Sequence, residues 1–182
     1  KLPHGVYSKD IILEVIRLIG TDGARYKAME FVGPALKAMS AEARMTITNM
    51  AIEAGGKNGI MAIDDITRTY VDERLKGSKN YPVYTSDADA TYGSTHDIAC
   101  DKLEPMVAFP HLPGNGKRIS ETAGLAMDQA YIGSCTNGRM EDYRIVAKIL
   151  KNRKVAIRTL IVPATPTIWR QAMNEGLFDI FY

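Results

Sequence analysis

Residues 131–139, Tyr-Ile-Gly-Ser-Cys-Thr-Asn-Gly-Arg, decide the fold. The apolar residues 130–132 at the start of this stretch predict a short strand, and Met140–Leu150 after it has the apolar spacing of a helix. Residues 155–162 are rich in β-branched and apolar side chains, which predicts a second, buried strand. A strand, a helix and another strand at this spacing indicate a parallel βαβ unit.

The cysteine of this stretch, Cys135, lies on the loop 133–139 that joins the first strand to the helix. In open α/β sheets, ligands bind beyond the carboxyl ends of the strands, and the N–H groups at the start of a helix favour an anion there. The same position stabilises a thiolate, the form of cysteine that ligates iron or attacks an electrophile. We therefore expect Cys135 to be accessible to solvent and more reactive than Cys100. The spacing alone also fits a structural cysteine in a Gly-, Ser- and Asn-rich loop, because no CxxC pair is present.

A second candidate site lies on a helix that is predicted to begin at Ser40 and to end at Gly55-Gly56. Asn49 and Glu53 are four residues apart, so they share one face of an α-helix. A carboxylate beside an amide on a largely apolar helix can carry a proton or bind a metal-bound water. The alternative is a solvated glutamate at the edge of an amphipathic helix.

The sequence predicts two units of the α/β class, each with helices on both sides of a parallel sheet in three layers. Residues 1–76 form the first unit, which opens with a helix that has Ser8 as its N-cap and Gly20 at its end. Residues 77–90, rich in Ser, Asn, Pro and Asp, predict a linker. Residues 91–182 form the second unit, with extended segments near 91–98 and 106–109 ahead of the βαβ pattern.

Composition excludes several classes of protein. The 182 residues carry a net charge of +2 with no run of Lys and Arg, so a nucleic-acid-binding face is not indicated. No apolar run approaches the roughly 20 residues that a membrane-spanning helix needs. The two cysteines are too few for a disulfide scaffold and are typical of a reducing compartment, so we expect a cytoplasmic protein. The start at Lys1 and the apolar residues 175–182 lead us to expect an internal fragment of a longer protein.

The remaining candidate side chains give weaker signals. His111, in the Pro-bracketed loop 110–115, is the one histidine with a site-like setting, whereas we interpret His96 and Cys100 as structural. A thiol enzyme with Cys135 as nucleophile and His111 as general base is therefore a second hypothesis. A third hypothesis is a non-catalytic domain that only binds a partner subunit.

Several stretches resemble the aconitase superfamily. Residues 133–139, followed by an acidic pair and an arginine, are similar to its first cluster-ligand motif, and Gly138-Arg139 resembles the isopropylmalate dehydratase and homoaconitase branch. Residues 44–56, Arg-Met-Thr-Ile-Thr-Asn-Met-Ala-Ile-Glu-Ala-Gly-Gly, are similar to a second landmark of the family. Shorter similarities make the resemblance nearly continuous from end to end: 9–10, 29–31 and 103–111.

The resemblance implies an iron–sulfur hydro-lyase with the fold of the aconitase iron–sulfur domain. In that family three cysteines hold a 4Fe-4S cluster, whose fourth iron binds the substrate as a Lewis acid. Cys135 matches the first of these ligands, while Asn49 and Glu53 match residues that line the cluster, with Glu53 contacting the water on the open iron. The other residues of the loop are expected to bind the substrate or the cluster: Ser134, Thr136, Asn137, Gly138 and Arg139.

The branch implies that the intact enzyme interconverts 2-isopropylmalate and 3-isopropylmalate by dehydration and rehydration, a step of leucine biosynthesis. Homoaconitase, methylmalate or citraconate hydratase and aconitate hydratase share these motifs and stay open as alternatives. The downstream CxxC of the family, its arginine-bearing substrate motif and its serine base have no match in this sequence. The serine belongs to a swivelling domain that is a separate small subunit in this branch, so we expect that partner, and a cluster in the intact enzyme but none in the fragment alone.

Overall fold

The computed structural model describes residues 1–77 and 80–182, which form two compact units, Lys1–Ala123 and Gly124–Tyr182. Ser78 and Lys79, part of the predicted linker 77–90, lie outside the described residues. The structure divides the chain later than the sequence predicts, because residues 91–123 belong to the first unit. The α/β class with parallel strand pairing is confirmed, and each sheet within the described residues is a pair of strands.

The first unit alternates helices with short strands. Its elements are α1 (Ser8–Ile19), β1 (Ala28–Phe31), α2 (Pro34–Lys37), α3 (Ala41–Asn49), a 3₁₀ turn (Met50–Ala54), β2 (Asn58–Met61), α4 (Asp65–Asp72), a 3₁₀ turn (Cys100–Lys102), β3 (Met106–Ala108), β4 (Gly116–Arg118) and a 3₁₀ turn (Ile119–Glu121). β1 and β2 pair in parallel and β3 and β4 pair antiparallel.

The crossover from β1 to β2 places α3 against α1, since two parallel strands need a connection that passes back over the sheet. Ile12 and Ile16 of α1 and Ile47 of α3 are fully buried at the centre of this core. Ser40 caps α3 as predicted, accepting the Ala43 N–H at 3.0 Å. The predicted stop at Gly55 is also confirmed, with Gly55 in the left-handed conformation at φ 80°.

The start of α1 differs from the prediction by one residue. Ser8 is the first helical residue rather than the N-cap, and the capping oxygen comes from Asp10, which accepts the Tyr7 N–H at 2.7 Å. The other oxygen of Asp10 accepts the Met106 N–H of β3 at 2.6 Å. This bond crosses 96 positions of the chain and helps to hold residues 91–123 on the first unit.

Residues 91–98, all of which the structure describes, form no strand, so the predicted extended element there is wrong. Nearly all of these residues are exposed, and without an apolar face to bury they gain nothing from pairing. Further along, the predicted extended segment at 106–109 appears as β3.

The second unit contains the predicted βαβ arrangement. Its elements are β5 (Gln129–Ile132), α5 (Met140–Leu150), β6 (Arg158–Ile161), α6 (Pro166–Asn174) and α7 (Phe178–Phe181). β5 and β6 pair in parallel, which confirms the predicted topology, and α5 has the predicted bounds. β6 is shorter than the predicted 155–162, and Val155 and Val162 at the ends of that stretch are exposed and lie outside the strand. The Val162 N–H still bonds the Ile132 carbonyl of β5, at 2.8 Å.

Tyr143 of α5 forms the centre of the second unit's core. Its side chain is fully buried and packs edge-on against Phe181, with ring centroids 5.8 Å apart. Burial raises the pKa of Tyr143 to about 12, and its hydroxyl has no hydrogen-bond partner among the described residues. None of the helices in the described part of the chain combines the length and apolar character that a membrane span needs.

An ion pair between a buried arginine and a half-exposed aspartate joins α3 to the start of α4. The Arg44 guanidinium, 7% exposed, donates to both carboxylate oxygens of Asp64, at 2.6 and 2.7 Å. Asp64 is also the N-cap of α4 and accepts the Thr67 N–H at 3.1 Å. The same guanidinium also donates a hydrogen bond to the Leu36 carbonyl oxygen in α2. One side chain thus connects three consecutive helices.

We predict that Arg44→Lys lowers the free energy of unfolding by about 1–2 kcal/mol, because lysine keeps the charge but lacks the planar fork that bonds both oxygens of Asp64. Urea unfolding at neutral pH measures the change. Arg25→Lys, at an exposed arginine without an ion pair in the described residues, is the matched control and is expected to shift stability by at most about 0.5 kcal/mol.

The same ion pair makes this difference depend on pH. The Arg44 guanidinium holds the pKa of the Asp64 carboxyl well below its usual range. A carboxyl with a depressed folded pKa contributes stability above its unfolded pKa of about 4 and loses it as the pH falls through the folded value. The difference in the free energy of unfolding between wild type and Arg44→Lys is therefore expected to be largest at neutral pH and to become smaller below about pH 4. A free-energy difference that becomes larger in acid contradicts a stabilising role for the Arg44–Asp64 ion pair.

Candidate functional site

The loop 133–139 leaves the carboxyl end of β5 and enters α5. Gly133 has φ 124°, and a Cβ at this position would lie 2.2 Å from the carbonyl oxygen of Val162. Only glycine fits this close approach between the loop and the chain that follows β6. Farther along the loop, the Gly138 carbonyl accepts the Ala164 N–H at 3.0 Å, so both ends of the loop are held against the same segment.

Hydrogen bonds within the loop fix its shape. The Ser134 hydroxyl oxygen accepts the N–H groups of Thr136 and Asn137, each at 3.3 Å. The hydroxyls of Ser134 and Thr136 lie 3.2 Å apart and share a further bond. Thr136 is only 2% exposed, so its side chain is part of the packed base of the loop. These polar groups, predicted to bind a ligand, are in this structure also the groups that hold the loop.

Asp142 anchors the far end of the loop. One of its oxygens accepts the Arg139 N–H at 2.9 Å, and the other accepts the Asn137 side-chain amide at 3.1 Å. An acidic side chain three residues after the helix entry is a recognised capping pattern. Asp142 is not among the predicted site residues, although its spacing of three residues from Arg139 is the sequence signal for this capping role.

The thiol of Cys135 makes only a long contact with these loop hydrogen bonds. Cys135 is exposed and free, and its closest recorded polar neighbour is the Thr136 hydroxyl, 3.9 Å from the sulfur. The other cysteine, Cys100, is half-buried, and burial raises the pKa of its thiol. The expectation that Cys135 is accessible to solvent is confirmed.

The second candidate segment differs from the expected regular helix. α3 ends at Asn49, and the chain tightens into the 3₁₀ turn before Gly55. Residues four apart lie about 40° apart around an α-helix but about 120° apart around a 3₁₀ helix. The shared face predicted for Asn49 and Glu53 is therefore not kept as an α-helical face. The tighter turn follows from the Gly55-Gly56 ending, where the Gly56 N–H bonds the Ala51 carbonyl at 2.9 Å.

Glu53 nevertheless has an unusual setting. The residue is half-buried, and its Oε2 atom is buried with no hydrogen-bond partner among the described residues. A buried carboxylate oxygen without a partner is costly, so it marks a place where a ligand, a water or another part of a longer protein completes the contact. Asn49 is exposed. The bland alternative, a fully solvated glutamate, does not describe this side chain.

The donor set fits one corner of a metal cluster. Cys135 supplies an exposed thiol, and Arg139 of the same loop has a buried Nε atom without a partner among the described residues. Within residues 1–77 and 80–182, no group of three His, Cys, Asp or Glu side chains is arranged to hold a metal ion.

The site residues divide between the two units. Asn49, Glu53 and His111 belong to the first unit, and the Cys135 loop belongs to the second. Within the first unit, His111 lies in an exposed loop after β3. Among the described residues, His111 forms no hydrogen bond or ion pair that supports the hypothesis that it acts as a base for Cys135.

Comparison with known proteins gives the relationship. The sequence profile of the Aconitase family (aconitate hydratase) matches residues 1–125 and 116–182, which together span the whole chain.

The chain belongs to the aconitase family.

Three relatives are each named 3-isopropylmalate dehydratase large subunit. The protein of Heliobacterium modesticaldum is 54% identical over 183 residues, covering 100% of this chain and 43% of the relative. That of Acetivibrio thermocellus is 51% identical, and that of Syntrophus aciditrophicus is 53% identical, each over 178 residues that cover 97% of this chain and 42% of the relative. The chain therefore spans less than half the length of the curated relatives it matches.

We predict that, in iron-free protein, iodoacetamide modifies Cys135 at least about tenfold faster than Cys100, because only Cys135 is exposed and because burial raises the pKa of the Cys100 thiol. Mass spectrometry of peptides taken at successive times measures both rates in one sample. Denatured protein is the control, in which the two rates are expected to converge. Faster labelling of Cys100 in the folded protein contradicts the structural assignment.

Proposed function

We propose that this chain is part of the large subunit of a 3-isopropylmalate dehydratase, an iron–sulfur hydro-lyase that interconverts 2-isopropylmalate and 3-isopropylmalate in leucine biosynthesis. The observation that carries the proposal is the exposed Cys135 thiol on a preformed strand-to-helix loop, in a chain 50–54% identical over nearly its whole length to subunits of that name. The two free cysteines agree with a reducing, cytoplasmic setting.

In this proposal Cys135 is one of three thiolate ligands of a 4Fe-4S cluster in the intact enzyme. A bound cluster supplies a Lewis-acid iron for the hydroxyl group that leaves the substrate. The loop positions the thiol of Cys135. Hydrogen bonds of Ser134, Thr136 and Asp142 hold the backbone of this loop. Thr136 and Gly138 act through this loop geometry, whereas Arg139 and Asn137 of the same loop are proposed to bind a carboxylate of the substrate.

Glu53 is proposed as the group that handles a proton during dehydration and rehydration. Its Oε2 atom is buried and has no hydrogen-bond partner among the described residues, which leaves the carboxylate with an unmet hydrogen bond and supports a role other than a solvated surface charge. Positioned acid–base groups contribute roughly 100-fold or more to turnover. Asn49, at the exposed end of α3, is proposed to orient the same ligand through its amide. The small subunit is the proposed partner and supplies the remaining base.

We predict that Glu53→Gln in the full-length enzyme lowers turnover of 3-isopropylmalate by roughly 100-fold while iron and sulfide content stay at wild-type levels. Glutamine has nearly the same shape, so folding is preserved, but it cannot accept or release the proton. Turnover and iron content are measured on the same preparation. Glu73→Gln, at an exposed side chain of the same unit, is the matched control and is expected to leave both unchanged.

Two other outcomes separate the parts of the proposal. A normal iron content together with near-normal turnover in Glu53→Gln assigns a structural role to Glu53. Wild-type protein that binds no iron, yet loses activity when Cys135 is alkylated, supports the thiol enzyme instead. An active iron enzyme that prefers homoaconitate or citrate changes the substrate but keeps the roles of Cys135 and Glu53.

A further inference from the structure

Asp142 makes a contact that the capping of a helix does not require. A cap needs one oxygen for a backbone N–H at the start of the helix, and one Asp142 oxygen accepts the Arg139 N–H at 2.9 Å. The other oxygen accepts the side-chain amide of Asn137, five positions back in the loop, at 3.1 Å. One carboxylate therefore holds both residues that are proposed above to bind a carboxylate of the substrate.

This extra contact fixes the orientation of the Asn137 amide. A carboxylate in its ionised form only accepts hydrogen bonds, so the NH2 group of Asn137 faces Asp142 and its carbonyl oxygen does not. The nitrogen and oxygen ends of an amide have nearly the same shape, so their hydrogen-bond partners decide which way the group is turned. Asp142 thus selects one of two sterically similar orientations of this side chain.

The backbone on either side of Asn137 is held by other bonds. The Ser134 hydroxyl oxygen accepts two N–H groups near the start of the loop, and the Gly138 carbonyl accepts the Ala164 N–H at 3.0 Å. Gly138 also has φ 84°, a left-handed conformation that favours glycine. With the backbone fixed in this way, the bond to Asp142 determines how the Asn137 amide is presented.

Arg139, the second partner of Asp142, also has an incomplete set of hydrogen bonds. Its Nε atom is buried and has no hydrogen-bond partner among the described residues. A buried donor without a partner is costly, so we expect a group that supplies an acceptor at this side chain. The Arg139 side chain leaves a backbone that Asp142 holds through the N–H group.

We propose that Asp142 is a positioning residue for substrate binding, which acts through the side-chain amide of Asn137 while the same carboxylate holds the Arg139 backbone. The inference rests on the proposed function. Side chains that are already oriented lose less conformational freedom when a ligand binds, so Asp142 increases the affinity for the substrate carboxylate. Such binding is equal in the ground state and the transition state, so its loss raises KM and leaves kcat nearly unchanged.

The test compares Asp142→Asn with Glu141→Gln in the full-length large subunit combined with its small subunit. Asparagine keeps one oxygen for the Arg139 N–H but turns an NH2 group toward Asn137, whose amide must then turn over or lose this bond. We expect Asp142→Asn to raise KM for 3-isopropylmalate by about tenfold, with kcat and iron content within about twofold of wild type. Glu141→Gln removes an equal charge from the same helical turn and is expected to leave all three quantities within about twofold.

Two further measurements separate the Asn137 contact from the helix cap. In the iron-free large subunit, hydrogen exchange of the Arg139 N–H is followed by mass spectrometry. Its rate is expected to stay within about threefold of wild type in Asp142→Asn and to rise by about tenfold or more in Asp142→Ala. In the iron-loaded enzyme, adding Asp142→Asn to Asn137→Ala is expected to raise KM no further, because the effects of two residues that act through one contact do not add.

Each alternative result has a distinct meaning. A wild-type KM in Asp142→Asn overturns the inference and leaves Asp142 as a helix cap. An equal rise of KM in Glu141→Gln also overturns it, because the effect then comes from charge, and so do additive effects of Asp142→Asn and Asn137→Ala. Fast exchange of the Arg139 N–H in Asp142→Asn attributes the raised KM to a lost cap and overturns it as well. Wild-type enzyme that holds no iron and dehydrates no hydroxy-acid overturns the proposed function, and the inference falls with it.

Discussion

Parallel pairing of short strands is the constraint on which both units depend. Two parallel neighbours cannot be joined by a tight turn, so each pair needs a helix that carries the chain back across the sheet. α3 has this task between β1 and β2, and α5 has it between β5 and β6. The candidate site residues lie at the ends of these two helices: Glu53 follows α3, and Cys135 precedes α5.

Local signals were enough to predict much of this arrangement. The bounds of α5 and the parallel pairing of its strands could be predicted because the loop 133–139 separates two clear hydrophobic patterns. Ser40 and Gly55 mark the helical segment of Glu53 by the chemistry of helix ends. By contrast, β1 was missed, because its four residues, one exposed and three partly buried, carry no alternation that distinguishes a strand from a loop.

Long-range contacts explain what the sequence could not provide. The division into units depends on long-range contacts of residues 91–123 with α1, among them the bond from the Met106 N–H to Asp10, which no local pattern signals. The buried, unpartnered oxygen of Glu53 likewise depends on how the 3₁₀ turn packs, and a regular α-helix was the natural expectation. Exposure of Cys135, on the other hand, follows from its loop and was predicted, since a Gly- and Ser-rich turn offers little apolar surface to bury a side chain.

Hydrogen bonds within the protein hold the loop 133–139 in place. Asp142 bonds the backbone of Arg139 and the amide of Asn137, and Ser134 bonds two further N–H groups, so none of these contacts requires a metal. A metal ligand whose backbone is held by protein contacts requires less ordering when it binds. These bonds therefore support the proposed role of Cys135 as a cluster ligand, because they position the backbone that carries its thiol.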